Sequence, residues 1–158
     1  MIDVLFVTPN SSKKSYQDLS ITYSAIEPPT WSLLLAESSR SKGFNVAILD
    51  AEAERLTDEE TIKKIKDHKP RLILFVLYGQ NPNSGTTSMI GASDLGKKLK
   101  LDYLDCKIAL VGSHVSALPK EVLKLDWVDL VLLNEGVYAL LNLLKGNLNE
   151  DLKKTKGI

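Results

Sequence analysis

A polar stretch after an apolar run carries the side chains best suited to binding chemistry. The apolar residues 71–77 give way to Tyr-Gly-Gln-Asn-Pro-Asn-Ser-Gly-Thr-Thr at 78–87. This stretch offers amides and hydroxyls but no charge, and its glycines let backbone N–H groups approach a ligand closely. It exceeds the roughly two to six residues usual between such elements. It therefore predicts a loop that wraps a large polar ligand, although an ordinary turn ending in a helix N-cap remains the alternative.

Three further polar segments follow predicted strands, at 8–10, 112–117 and 134–136. Ligands of parallel α/β sheets bind outside the carboxyl ends of the strands, so these segments are expected to meet at one edge. Glu135, the acidic residue of segment 134–136, has a second interpretation, in which it only stabilises the start of the next helix, because a helix N-terminus favours negative charge. The candidate binding residues are Thr8, Pro9, Asn10, Tyr78, Gly79, Gln80, Asn81, Ser84, Thr86, Thr87, Gly112, Ser113, His114, Val115, Asn134, Glu135 and Gly136.

The elements that position these residues alternate between strands and helices along the chain. Apolar β-rich runs predict strands at 2–7, 44–49, 71–77, 107–111 and 128–133. Helical patterns fall at 31–43, 57–67, 88–101, 119–125 and 137–145, the second opening with a capping box at Thr57 and Glu60. This alternation predicts one flavodoxin-like α/β domain over 1–146, a five-stranded parallel sheet in the order 2-1-3-4-5 with helices on both faces. Residues 147–158 are predicted to be a weakly structured tail.

Composition excludes several classes of function. The 158 residues are 44% hydrophobic and 25% charged with zero net charge, which argues against a general nucleic-acid binder. The chain has no apolar run of bilayer length and no secretory signal at its first residues, so the default expectation is a cytoplasmic protein without a membrane partner. One cysteine, Cys106, allows neither an internal disulfide nor a cysteine metal cluster. No phosphate-binding, dinucleotide or nucleophile-elbow motif is present, so the residues alone indicate a small-molecule-binding domain without a catalytic centre.

The order of several short motifs resembles the N-terminal cobalamin-binding domain of radical S-adenosylmethionine enzymes. The matching pieces are VLFVTPN, EPPTWSLLLAESSRSKGFNVAILDAE, IKDHKPRLILFVLYG, KIALVGSHVSALPKEVL and VDLVLLNEGVYALLNLL, followed by LKKTKGI. Together they cover nearly the whole chain, and their order is more specific than any one of them. The Tyr78–Thr87 stretch is similar to that of a subgroup associated with polysaccharide-type gene clusters.

This resemblance implies that the strand-end segments bind cobalamin. Residues 78–87 would hold the corrin amides, residues 112–115 would line the nucleotide tail or the corrin face, and residues 134–136 would close the far edge. The D-x-H-x-x-G motif of other cobalamin proteins is absent after the first strand, so no histidine from there can ligate cobalt. Ser113 also stands where the family usually has a second glycine, which could narrow the space for the ligand.

The same resemblance implies a catalytic partner that this chain does not contain. The radical chemistry needs a C-x-x-x-C-x-x-C motif for a [4Fe-4S] cluster, and only Cys106 is present. The expectation is a cobalamin-binding module of a radical S-adenosylmethionine methyltransferase, with S-adenosylmethionine and the cluster bound by a separate catalytic domain. Two other interpretations stay open: the sugar-nucleotide-binding half of a glycosyltransferase, and a non-catalytic flavodoxin-like interaction domain.

Overall fold

A computed structural model describes residues 2–12, 14, 17–19, 25–79, 82–102, 106–146, 148, 152 and 157–158. Within those ranges, helices separate five strands, with two short helices between the fourth and fifth strands and one helix after the last strand. The strands are β1 (Ile2–Thr8), β2 (Val46–Asp50), β3 (Pro70–Leu77), β4 (Lys107–Gly112) and β5 (Leu130–Leu132). The helices are α1 (Thr30–Arg40), α2 (Asp58–His68), α3 (Pro82–Asp102), α4 (Ser113–Ala117), α5 (Pro119–Val122) and α6 (Val137–Lys145).

The strands form one parallel sheet in the order β2-β1-β3-β4-β5, which confirms the predicted topology. Each neighbouring pair is parallel, and the register places Thr8 beside Asp50 and Leu77 beside Gly112. These four residues therefore lie at the same edge, where the carboxyl ends of the strands meet. That edge is where a doubly wound sheet binds its ligands.

Side chains that alternate along the strands build two separate cores, one on each face of the sheet. Leu5 and Val7 of β1 point to the face covered by α2 and α3, where Ile65 and Leu95 are also buried. The side chains between them in the strand, such as Phe6, point to the other face of the sheet and pack under α1 and α6. Parallel strands that are covered on both faces have nearly continuous apolar sequences. For this reason the strands could be predicted clearly from the sequence.

The helix after β3 begins earlier than predicted, so the prediction of a loop over 78–87 is wrong for its second half. α3 starts at Pro82, leaving only residues 78–81 between strand and helix. Proline suits the first turn of a helix, where its missing N–H has no partner to lose. Thr87 and Ser88 also donate their hydroxyls to the Ser84 carbonyl, at 2.9 and 2.8 Å. The predicted loop over 112–117 is likewise the end of β4 followed by α4.

The described residues of the predicted tail pack against the domain rather than extending from it. The Leu133 N–H donates to the Gly157 carbonyl at 3.0 Å, and Ile158 contacts the core under α6. Leu148 is buried. Within the described ranges, no helix combines the length and the apolar character needed to cross a bilayer.

Candidate functional site

A cleft of about 860 Å³ opens at the carboxyl edge of the sheet, over the ends of β1, β2 and β3 and the start of α1. This volume falls in the upper part of the range seen for small-molecule sites. The described residues that line it are Thr8, Pro9, Ser11, Ser12, Leu19, Ala25, Glu27, Pro28, Pro29, Thr30, Trp31, Ser32, Asp50, Glu52, Val76, Tyr78, Gly79, Ser84, Thr87 and Ser88. They supply hydroxyls, an aromatic surface and three carboxylates, but no lysine or arginine.

Two stacked aromatic rings form one wall of the cleft. The ring centroids of Trp31 and Tyr78 lie 4.6 Å apart with 30° between the ring planes. The Tyr78 hydroxyl donates a short hydrogen bond to the Asn134 carbonyl, which ties the wall to the end of β5. Partial burial raises the pKa of the Tyr78 phenol, and the charge of Glu135 raises it further, so the neutral donor form is favoured.

Two carboxylates, Asp50 at the end of β2 and Glu52 just after it, organise a further part of the cleft lining. Glu52 accepts the backbone N–H groups of Ser11 and Ser12 at 2.7 and 3.2 Å, and the Ser12 hydroxyl as well. Asp50 accepts the Ala53 N–H at 3.0 Å. Burial raises the pKa of the Asp50 carboxyl, although the backbone N–H groups of Ala53 and Glu52 partly offset this effect. Glu52 therefore holds the segment after β1 in place. The Asp50 carboxylate is a partly desolvated hydrogen-bond acceptor in the lining of the cleft.

Six of the predicted residues line this cleft, and they come from the ends of β1 and β3 and from the first turns of α3. They are Thr8, Pro9, Tyr78, Gly79, Ser84 and Thr87. Asn10 lies nearby but donates its amide to the Leu56 carbonyl at 3.0 Å, which gives it a structural role. Gln80 and Asn81 lie outside the described residues.

The remaining predicted residues form a second group over β4 and β5, beside the cleft rather than in its lining. Thr86 Oγ1 lies 3.1 Å from His114 Nδ1, which joins α3 to α4. The Asn134 N–H donates to Ser116 Oγ at 2.9 Å. Val115 is fully buried in the core. This group also contains Ser113, whose buried hydroxyl has no hydrogen-bond partner among the described residues.

Two glycines of the second group, Gly112 and Gly136, allow their backbone to pack closely against neighbouring strands. A Cβ on Gly112 would overlap the Leu77 carbonyl oxygen at the neighbouring end of β3. Gly136 has a φ of +71°, and a Cβ there would lie 2.8 Å from Val111 Cγ2. At Gly112 the neighbouring strand therefore accounts for the close backbone approach without a ligand. Glu135 is exposed beside Gly136 at the start of α6.

Sequence reasoning missed the contributions of α1 and β2 to the cleft. Trp31, at the start of α1, lies in the cleft wall although it is not among the predicted binding residues. Ser32 and Asp50 were not predicted. Asp50 carried an available signal, because it ends a predicted strand, and the strand-end rule applies to β2 as it does to β1.

No metal site is built by the chain itself within the ranges that the structure describes: no three His, Cys, Asp or Glu side chains are grouped to hold an ion. Cys106 is a buried core residue, and burial raises the pKa of its thiol to about 12. The sulfur is therefore a protonated, apolar group and not a ligand.

Solved structures with the same fold include corrinoid proteins. The radical S-adenosylmethionine methyltransferase TsrM from Kitasatospora setae aligns with a TM-score of 0.73 at 15% identity, in a structure with tryptophan substrate and aza-SAM bound. A second structure of TsrM, with cobalamin and a [4Fe-4S] cluster bound, has a TM-score of 0.72 at 15% identity. Both alignments cover 99% of this chain and 28% of TsrM, so the chain spans less than a third of that enzyme.

A smaller corrinoid protein shows the same architecture more distantly. The Methanosarcina barkeri monomethylamine corrinoid protein aligns over 89% of this chain and 56% of its own length, with a TM-score of 0.54 and 19% identity. No curated protein sequence matches the chain. The model of the B12 binding domain matches residues 16–144, which is most of the sequence. The chain therefore belongs to the B12-binding domain family.

Proposed function

We propose that this chain is the cobalamin-binding module of a radical S-adenosylmethionine methyltransferase. The observation that carries the proposal is the chemistry of the strand-end cleft. Hydroxyls, carboxylates and an aromatic wall line about 860 Å³ without a lysine or arginine in the described lining. Cobalamin offers many carboxamide N–H donors around a large apolar ring, so this lining fits it. The buried Ser32 hydroxyl, which has no partner among the described residues, is an additional polar group that a ligand would satisfy.

The residues that would hold the cofactor are those of the cleft and its rim. Thr8 and Tyr78 offer polar groups at the ends of β1 and β3, and Ser84 and Thr87 offer hydroxyls in the first turns of α3. Gly79 approaches Ser84 too closely for a Cβ to fit. The group over β4 and β5, with His114 and Asn134–Gly136, would border the ligand through the Tyr78 contact. These residues would orient the cofactor and keep water from one of its faces.

The methyl-transfer role rests on likeness to TsrM, which extends over nearly the whole of this chain. Cobalamin, when bound, supplies a cobalt centre able to carry a methyl group. S-adenosylmethionine and an iron–sulfur cluster would belong to a radical catalytic domain, since Cys106 is the only cysteine here. In this arrangement the chain binds and presents the cofactor, and its partner performs the radical chemistry.

The cleft argues against the sugar-nucleotide interpretation. A diphosphate is bound by arginine, lysine, a metal ion or a glycine-rich helix start. The described lining instead contains Glu27, Asp50 and Glu52. Three carboxylates without a compensating cation would repel a nucleotide diphosphate. A neutral ligand rich in hydrogen-bond donors meets no such penalty.

The direct test is titration of the purified chain with hydroxocobalamin, followed by desalting and a visible spectrum. We expect retained colour with a shifted spectrum, and weaker retention after Trp31→Ala because the aromatic wall is lost. Tyr138→Ala is the matched control, since Tyr138 is an exposed aromatic residue on α6 outside the cleft. A folded chain that shows neither retention nor a spectral shift at high ligand concentration would contradict the proposal.

A further inference from the structure

One corner of the cleft is polar, and its groups do not satisfy one another. We call it the polar corner and define it as Thr8, Ser32 and Asp50, which all line the cleft. Thr8 and Asp50 are neighbours across the β1–β2 pair. Ser32 belongs to α1, which packs over both strands. Ser32 directly follows Trp31 of the aromatic wall in the sequence.

Ser32 is a buried serine without a hydrogen-bond partner among the described residues. Its exposure is 1%, and its hydroxyl is fully covered. A helical serine usually donates to the carbonyl four residues earlier. Ser39 on the same helix does this, donating to the Leu35 carbonyl at 2.9 Å. For Ser32 the corresponding carbonyl is that of Pro28, which already accepts the Thr30 N–H at 2.7 Å. The Ser32 hydroxyl is therefore costly to the fold, and Ser32 belongs to the lining of the cleft.

Asp50 supplies an acceptor at the same corner. Its carboxylate is half-buried and is held by the Ala53 N–H. No lysine or arginine of the described lining neutralises it. In dinucleotide-binding folds, an acidic residue in a similar position accepts hydrogen bonds from the hydroxyls of a ribose. A serine hydroxyl and a carboxylate at one corner are suited to O–H and N–H donors and unsuited to anions.

We propose that Ser32 and Asp50 form a hydrogen-bonding subsite that selects a neutral O–H or N–H donor of the bound ligand. This inference rests on the proposed function and deepens it. In cobalamin such donors occur in two places, the ribose of the nucleotide tail and the carboxamides of the corrin ring. Both present the same chemistry, a neutral donor next to an apolar ring system. An anionic group at this position would meet the Asp50 carboxylate and be rejected.

The test compares Ser32→Ala and Asp50→Asn with the parent chain in equilibrium titrations followed by absorption. Each titration uses cobalamin and, separately, cobinamide, which keeps the corrin carboxamides but lacks the nucleotide tail. We expect each variant to bind cobalamin about 3- to 10-fold more weakly, as loss of one hydrogen bond requires. The matched controls are Ser39→Ala on the same helix and Glu54→Gln, which removes a carboxylate outside the cleft. Both controls should bind like the parent chain.

The pattern of losses identifies the source of the donor. Weaker binding of cobalamin alone assigns the subsite to the ribose, and equal weakening with cobinamide assigns it to the carboxamides. Parent-like affinity of both variants for both ligands overturns the inference while leaving the proposed function intact. If the folded parent chain binds neither ligand, the proposed function fails, and this subsite fails with it. Circular dichroism spectra of both variants check that the fold is retained.

Discussion

At the scale of single residues, the cleft keeps polar groups that weaken the fold. Asp50 is partly desolvated, and the Ser32 hydroxyl is buried without a partner among the described residues. The sequence could not reveal that Asp50 is desolvated or that the Ser32 hydroxyl lacks a partner, because both properties depend on which elements pack over these side chains. Only the packing of α1 over β1 and β2 brings them to one cavity. The aromatic wall illustrates the same limit, since the Trp31 and Tyr78 rings are distant in sequence.

The charge on Asp50 gives the first prediction, which concerns stability against pH. Burial raises the pKa of this carboxyl in the folded state above its unfolded value. Below the unfolded pKa both states are protonated and the effect vanishes. As the pH rises through the two pKa values, the unfolded state ionises first, so the fold loses stability. Asp50→Asn removes this loss and should raise the free energy of unfolding at neutral pH by at most about 0.5 kcal/mol, because solvent screens a half-exposed carboxyl.

Urea unfolding of Asp50→Asn and the parent chain between pH 3 and pH 8 measures this difference. The gain should shrink as the pH falls below the pKa of Asp50. Glu121→Gln serves as the control, because Glu121 is an exposed carboxylate of α5 outside the cleft. A variant that is less stable than the parent at neutral pH would show that the Asp50 carboxylate stabilises the fold.

At the scale of elements, the start of α2 was predictable from two residues. Thr57 and Glu60 were expected to form a capping box, and the structure confirms it. The Glu60 N–H donates to Thr57 Oγ1 at 3.2 Å, and the Thr57 N–H donates to Glu60 Oε2 at 2.9 Å. We expect Thr57→Ala to lower the free energy of unfolding by about 1 kcal/mol, whereas Thr57→Ser should keep the cap. Denaturant melts of the two variants distinguish them, and equal stability would contradict a role for the hydroxyl.

The start of α3 was not predictable in the same way. The stretch Asn-Pro-Asn-Ser-Gly at 81–85 has the composition of a turn. The reason that the chain is helical from Pro82 onward is found only in how it packs on neighbouring elements. Gly85 sits where a Cβ would lie 3.0 Å from the Leu77 carbonyl oxygen and would overlap the Ser113 hydroxyl. A glycine thus lets the first turns of α3 pack closely against the ends of β3 and β4. Tertiary packing, rather than local propensity, fixes this helix start.

A second glycine of α3 gives a prediction about packing. In most helices Gly→Ala stabilises by about 1 kcal/mol. At Gly96 a Cβ would instead overlap the six-membered ring of Trp127. Trp127 is buried and meets Phe75 edge-on at 6.0 Å, so it has little room to move. We expect Gly96→Ala to lower the free energy of unfolding by about 1–3 kcal/mol, measured by denaturant melts. Ser93→Ala on the same helix is the control, and a stabilised Gly96→Ala would contradict the packing argument.

At the scale of the whole molecule, the alternation of strands and helices was sufficient to predict the sheet order. Right-handed crossovers between parallel strands leave few arrangements for five strands, and continuous apolar runs marked each of them. The location of the site at the carboxyl edge followed from the same topology. Its extent did not, because α1 and β2 also contribute Thr30, Ser32 and Asp50 to the lining, and the residues over β4 and β5 lie beside the cleft.

The charge distribution of the whole molecule gives the last prediction, which separates the proposed ligand from a nucleotide. The chain is formally neutral, and the described lining of the cleft contains Glu27, Asp50 and Glu52 without a cation. Binding of an uncharged ligand then involves no long-range attraction that salt could screen. We expect the affinity for cyanocobalamin, which is neutral overall, to change by about twofold or less between low and high salt. A sugar nucleotide should not bind at low salt and should not compete with cyanocobalamin. Competition, or cyanocobalamin binding that falls steeply with salt, would place a cationic surface in the site and contradict recognition through neutral hydrogen-bond donors.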